Sequence, residues 1–294
     1  MPSRGFTLIE MVIAITLIGL LSVAAAPMLR LPMTAWMDAS RRATATNAID
    51  AADARLRDDL QRALPGSVRI RNVGARVLLE TLEVRGWGRH RVGAGGATFC
   101  PAACGGANDG IEPACAAESC FTSIGPLQGA APAIGDWVVV NPLAANAGAN
   151  AGDPYFGGAA EVNGGIKTRL TNLAAAGAGQ RLNVNPLRFP NPAPDRRFYV
   201  VTTPVTWDCD PGTQTLTRRW GYAINQIQPA AFGAASSSLL ANRVTACSIT
   251  YTRDNLPTPR GGQVHLRVQM TAVDTTGVPE SASLNASYAV TVDR

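Results

Sequence analysis

Six cysteines, two histidines and a few acid- or glycine-rich turns are the residues on which chemistry could rest. Cys100, Cys104, Cys115 and Cys120 follow a C-x3-C-x10-C-x4-C spacing, not the paired C-x-x-C knuckles of a tetrahedral zinc site. An even cysteine count in an exported segment reads as a disulfide set. Cys209 and Cys247 stand near the ends of two predicted strands and are expected to bridge. The other four can pair in three ways, and spacing does not choose among them. No metal or cofactor is expected.

The histidines offer little. His265 falls on a polar strand face beside Arg267, and His90 lies between Arg89 and Arg91; neither has an acid partner that would make it a general base. Gly93-Ala94-Gly95-Gly96 lacks the Gly-Lys-Ser/Thr ending of a phosphate loop. Asn108-Asp109-Gly110-Ile111-Glu112 brings oxygens into a short loop, but an Asn-Asp-Gly turn accounts for it better than a calcium site. No catalytic constellation emerges, so an enzyme is not expected.

The N-terminus carries a sharper signal. Glu10 opens the run 11–29, which contains no charge before Arg30. As a helix this run spans about 28 Å, close to the hydrocarbon thickness of a bilayer. With Arg4 on the short leading side, the N-terminus is expected in the cytoplasm and the body across the inner membrane. A cleaved secretory signal would use Ala24-Ala25-Ala26, but Pro27 would then follow the cut. A plain anchor leaves Glu10 without a purpose. A carboxylate at mid-membrane costs about 2.5–3.5 kcal/mol, and less near the interface.

Gly5-Phe6-Thr7-Leu8-Ile9-Glu10 resembles the processing motif of type IV prepilins and pseudopilins. The resemblance implies that prepilin peptidase cuts between Gly5 and Phe6 and that Phe6 is N-methylated. It also implies that Glu10 pairs with the N-terminal amine of a neighbouring subunit, a contact between otherwise buried charges that sets register. Read locally, Thr7-x-x-Glu10 fits a capping box, and the two roles are compatible. Pro27 falls where many type IV pilins carry a proline. Together with Pro32 it predicts a kink or a melted turn in an assembled filament.

The elements that must position this terminus follow from periodicity. Residues 34–64 read as a helix with an apolar stripe of Ala45, Ala48, Ile49, Ala52, Leu56, Leu60 and Ala63. Asp38–Arg42, Asp53–Arg57 and Asp58–Arg62 pair at four-residue spacing, and Pro65-Gly66 stops the helix. Strands are expected at 67–72 and 75–84, turning at Val73-Gly74, and at 137–140 and 198–205. Val264, Leu266, Val268, Met270 and Ala272 alternate with polar residues, as do Leu284, Ala286, Tyr288, Val290 and Val292, which makes an antiparallel sheet with one buried face. That face is expected against the helix stripe. The runs 144–152 and 174–179 read as Gly/Ala-rich surface loops.

The fold class is therefore α+β: a long N-terminal membrane-spanning and amphipathic helix packed on an antiparallel sheet, with long Gly/Ala-rich loops. The expected divisions are a leader at 1–5, an assembly helix at 6–30, its amphipathic continuation at 31–66, and a β-rich periplasmic body at 67–294. The body adds to the resemblance. Pro32-Met33-Thr34-Ala35-Trp36-Met37-Asp38, Arg57-Asp58-Asp59-Leu60, Trp207-Asp208-Cys209 and Cys247-x-Ile249-x-Tyr251 are similar to the MshO-type minor pilins of mannose-sensitive haemagglutinin (MSHA) pili, related to PilW and J-type pseudopilins. This implies a pilin-like fold, with other major and minor pilins as partners through the N-terminal helix. A J-type pseudopilin of a type II secretion system is the near alternative, and an adhesive or DNA-contacting tip module the distant one. The net charge of +5 is too dispersed to imply specific nucleic-acid binding.

Overall fold

The computed structural model describes residues 7–91, 110–111, 117–146, 152–156, 165–191, 193–253, 261–273 and 279–291. Gly5, Phe6, Cys100, Cys104 and Cys115, the Gly93–Gly96 run, Asp109 and Val292 lie outside them.

One helix, α1 (Leu8–Gln61), opens the chain and extends for 54 residues, about 80 Å. Its helical assignment runs unbroken through Pro27 and Pro32; the kink or melted turn expected there belongs to an assembled filament. The helix ends before the Pro65-Gly66 stop because the sheet captures the chain first. Leu64 donates its N–H to Leu82 O at 2.8 Å, Val84 donates to Arg62 O at 2.8 Å, and Ala63 bridges to Glu83. Gly66 then turns with φ +77°, and a Cβ there would lie 2.7 Å from Leu143 O.

The strands are β1 (Arg69–Val73), β2 (Arg76–Arg89), β3 (Glu118–Thr122), β4 (Gln128–Gly129), β5 (Trp137–Val140), β6 (Lys167–Ala176), β7 (Gly179–Leu187), β8 (Arg197–Asp210), β9 (Thr215–Trp220), β10 (Ser236–Asn242), β11 (Val244–Arg253), β12 (Gly261–Val273) and β13 (Pro279–Thr291). The first hairpin turns at Gly74-Ala75, one residue later than the pattern suggested, with Val73 opposite Arg76. Gly74 at φ +61° supplies the left-handed residue a two-residue hairpin loop needs. The stretch 174–179 is not a loop: Ala174 pairs with Arg181 and Ala176 with Gly179, forming the tip of the β6–β7 hairpin.

Seven strands of a ten-stranded sheet follow the order β1-β2-β8-β5-β6-β7-β3, with β4 paired to β2, β9 to β8 and β10 to β9, and β11-β12-β13 form a second sheet. Strand β8 is the fork of the larger sheet. Along one edge it pairs with β2 over most of its length; along the other, β5 takes residues 198–201 and β9 takes 205–210. Pro204 falls at this gap, where its missing N–H leaves no broken ladder.

The predicted stripe is real. Ala52, Leu56, Leu60 and Ala63 are buried in one cluster with Val264, Leu266, Val268, Met270, Tyr288 and Val290 of the second sheet and Val205 and Trp207 of β8. A second core of Phe121, Val138, Leu170, Leu182 and Phe198 forms without any helical residue. The body is thus more sheet-rich than a single stripe can cover.

Candidate assembly site

Among the described residues, the N-terminal half of α1 leaves its large apolar side chains exposed. Leu8 is 82% exposed, Leu20 71% and Trp36 73%, and Ile13, Leu17, Ile18 and Leu21 are exposed as well. A helix apolar on all sides belongs in a bilayer or among other helices, because covering each such side chain is worth about 1.5–3 kcal/mol. Its polar side chains ask nothing of a partner: Thr16 donates to Val12 O and Ile13 O, and Ser22 to Ile18 O, local bonds typical of serine and threonine in helices. Among the described residues no helical stretch is long and apolar enough to cross a membrane; the unbroken run of described side chains ends at residue 23.

Thr7 and Glu10 form the expected capping box. The Thr7 hydroxyl accepts from Glu10 N at 3.3 Å, and Thr7 N donates to Glu10 Oε2 at 3.3 Å. The carboxylate also satisfies the first turn of the helix dipole. One acid is therefore placed at the start of an exposed rod, bonded among the described residues to Thr7, three positions before it.

Residues 1–26 match the prokaryotic N-terminal methylation motif. No curated protein and no solved structure matches the chain. The motif is that of prepilin-like proteins, the type IV pilin and pseudopilin class, whose members are processed by prepilin peptidase and assemble with other pilins. The match covers the N-terminal 26 residues, and the body lies outside it.

The prepilin-like rod is fastened to the body at its other end. Ion pairs Asp53–Arg57 at 3.5 Å and Asp58–Arg62 at 2.9 Å form as spaced. Their contribution is small beside three buried clusters that sequence reasoning did not single out. Asp59 is gripped by Arg218 and by Trp207 Nε1, the latter at 2.8 Å. Asp208 accepts from Arg76 Nε at 2.6 Å and Arg219 Nε at 2.7 Å. Burial pushes the Asp208 carboxyl up, but these two guanidinium groups outweigh it and hold it below the usual range. Glu80, fully buried against Arg69 at 2.7 Å, is instead pushed up, because burial exceeds what Arg69 returns. A signal existed for one of them: Asp59 falls on the apolar stripe between Leu56 and Leu60, where an acid needs a partner.

The structure joins Cys209 and Cys247 in a disulfide with Cα atoms 6.2 Å apart, tying β8 to β11 and hence one sheet to the other. Cys120 is also disulfide-bonded; its possible partners lie outside the described residues. His265 Nδ1 meets Ser287 Oγ at 2.9 Å, a cross-strand pair on an open face, and His90 is buried beside Arg91 O.

Proposed function

We propose that the chain is a minor pilin of an MSHA-like type IV pilus, with a structural rather than enzymatic role in initiating or capping the filament. The reading has the precursor cross the inner membrane once, N-terminus inward and body in the periplasm. Prepilin peptidase cuts between Gly5 and Phe6, Phe6 is methylated, and the mature helix joins other pilins. What carries the reading is the uncovered apolar rod that begins at the Thr7–Glu10 box inside the matched motif. Cleavage would place a new ammonium at Phe6, four residues from the carboxylate, and a neighbouring rod would bring the two charges together without water. The resemblances at residues 32–38 and 207–209 support the MSHA-type assignment, and the helix-on-sheet packing supports a pilin-like body.

The test compares two substitutions in one assay of processing and filament incorporation. Gly5→Leu is expected to leave the leader attached. Glu10→Ala is expected to be cut normally yet fail to enter the filament, and normal incorporation of that variant would defeat the pairing mechanism. Deleting the chain should abolish pili; loss of protein secretion with pili intact would instead select the J-type pseudopilin.

A further inference from the structure

At the foot of α1 lies a cavity of about 540 Å³, a size typical of small-ligand sites and apart from the N-terminal assembly contacts. It opens where β8 forks: Thr202 and Thr203 stand in the gap between the residues paired to β5 and those paired to β9. Opposite them the register of β2 slips twice, at Leu82/Val84 and Val84/Gly86, and bulges of this kind commonly re-aim side chains at sites. The chain leaving the helix at Arg62 and Ala63 closes the bowl.

The lining defines a chemistry. Trp87 and Tyr199 supply aromatic rings, and Glu83 supplies a carboxylate. Among the described residues Glu83 forms no ion pair; its Oε2 accepts from the Thr202 hydroxyl at 3.4 Å. Three guanidinium groups reach the bowl, and each is already matched: Arg62 to Asp58 at 2.9 Å, Arg85 to Asp136 at 3.1 Å and Arg197 to Asp195 at 3.3 Å. Among the described lining residues an anion finds no cation without an ion-pair partner and meets Glu83, while a cation meets three guanidinium groups. Aromatic surface beside donors and acceptors of both senses suits a neutral ligand with an apolar C–H face and a hydroxyl edge.

We propose that this cavity binds a neutral saccharide, with Trp87 stacking on the sugar ring and Glu83 and Thr202 holding its hydroxyls. The Arg197 guanidinium, which also lines the cavity, stands 5.5 Å from the Trp87 ring centroid. The site belongs to the body and does not rest on the assembly reading.

The test uses the full-length chain in lipid nanodiscs free of glycolipid and sugar-based detergent. Neutral mono- and disaccharides are titrated to about 10 mM, read by saturation-transfer NMR, with a lysine-rich peptide and sulfate as competing probes. At least one saccharide is expected to bind, and Trp87→Ala and Glu83→Gln should each weaken it by about tenfold or more. Glu83→Gln preserves side-chain size, so its loss of binding would not reflect misfolding. The proposal is overturned if no saccharide binds, if both variants bind like the parent, or if only the peptide or sulfate occupies the bowl.

Discussion

Asp59 of the helix and Arg218 of β9 meet through two parallel hydrogen bonds, Nε to Oδ2 at 2.7 Å and Nη2 to Oδ1 at 3.0 Å. Both side chains are almost fully buried, and Trp207 donates to the same carboxylate. The pair is a strut between the rod and the sheet. Breaking one side of such a pair leaves an uncompensated buried charge, which costs about 3–5 kcal/mol. Asp59→Ala should lower stability by that amount in urea unfolding followed by tryptophan fluorescence. Asp59→Leu combined with Arg218→Met should recover most of it, and a double variant as unstable as the single would show that the charges themselves are required.

The Cys209–Cys247 bridge closes a separation of 38 residues, for which chain entropy allows at most about 4 kcal/mol. Cys209→Ser with Cys247→Ser should lower the thermal midpoint, and reductant should then have little further effect through this bridge. Peptide mapping of unreduced protein should recover residues 209 and 247 in one linked species. Finding both as free thiols in protein isolated without reductant would contradict the fold at the joint between the sheets.

Acid should weaken the body through Asp208. Its folded pKa is depressed, so its contribution is present above the unfolded value near pH 4 and is lost as pH falls through the still lower folded value. Glu80 acts with the opposite sign: its folded pKa is raised, so its contribution is present below the unfolded value and is lost as pH rises through the folded one. Asp208→Asn should flatten the decline of stability below about pH 4. Equal acid slopes for parent and variant, measured by denaturant midpoints from pH 2.5 to 7, would remove Asp208 from this role.

Thr7 separates the two roles of Glu10. Thr7→Ala removes the hydroxyl that accepts from Glu10 N, an N-cap loss worth about 1 kcal/mol, but leaves the carboxylate in place. If Glu10 serves assembly through an intermolecular charge pair, Thr7→Ala should enter filaments nearly normally while Glu10→Ala does not. Equal defects in the two variants would reduce Glu10 to a helix cap.

Short-range rules made much of this legible before any fold was known. The Thr7–Glu10 box, the stripe at Ala52, Leu56 and Leu60, the strand at Trp137–Val140 and the alternation at Val264–Met270 all arise from residues a few positions apart. Local periodicity determines which face of a helix or strand is apolar, and the chain must bury that face somewhere. The Cys209–Cys247 pair was also readable, because the two cysteines fell near predicted strand ends and Cys247 shared the apolar face of Ile249 and Tyr251.

What only the tertiary structure decided is which distant groups meet. Asp59 with Arg218, Asp208 with Arg76 and Arg219, and Glu80 with Arg69 depend on strand register, and no spacing in the chain encodes a partner 132 or 159 residues away. The helix end moved from the Pro65-Gly66 stop to Gln61 because a β2 carbonyl competed for the Leu64 amide. The 174–179 run became a hairpin tip because its backbone amides found a neighbouring strand, which composition does not reveal. Sequence alone determined that a mostly apolar N-terminal rod with one acid at its mouth exists; packing decided how the body holds it, since long-range contacts depend on the whole chain closing at once.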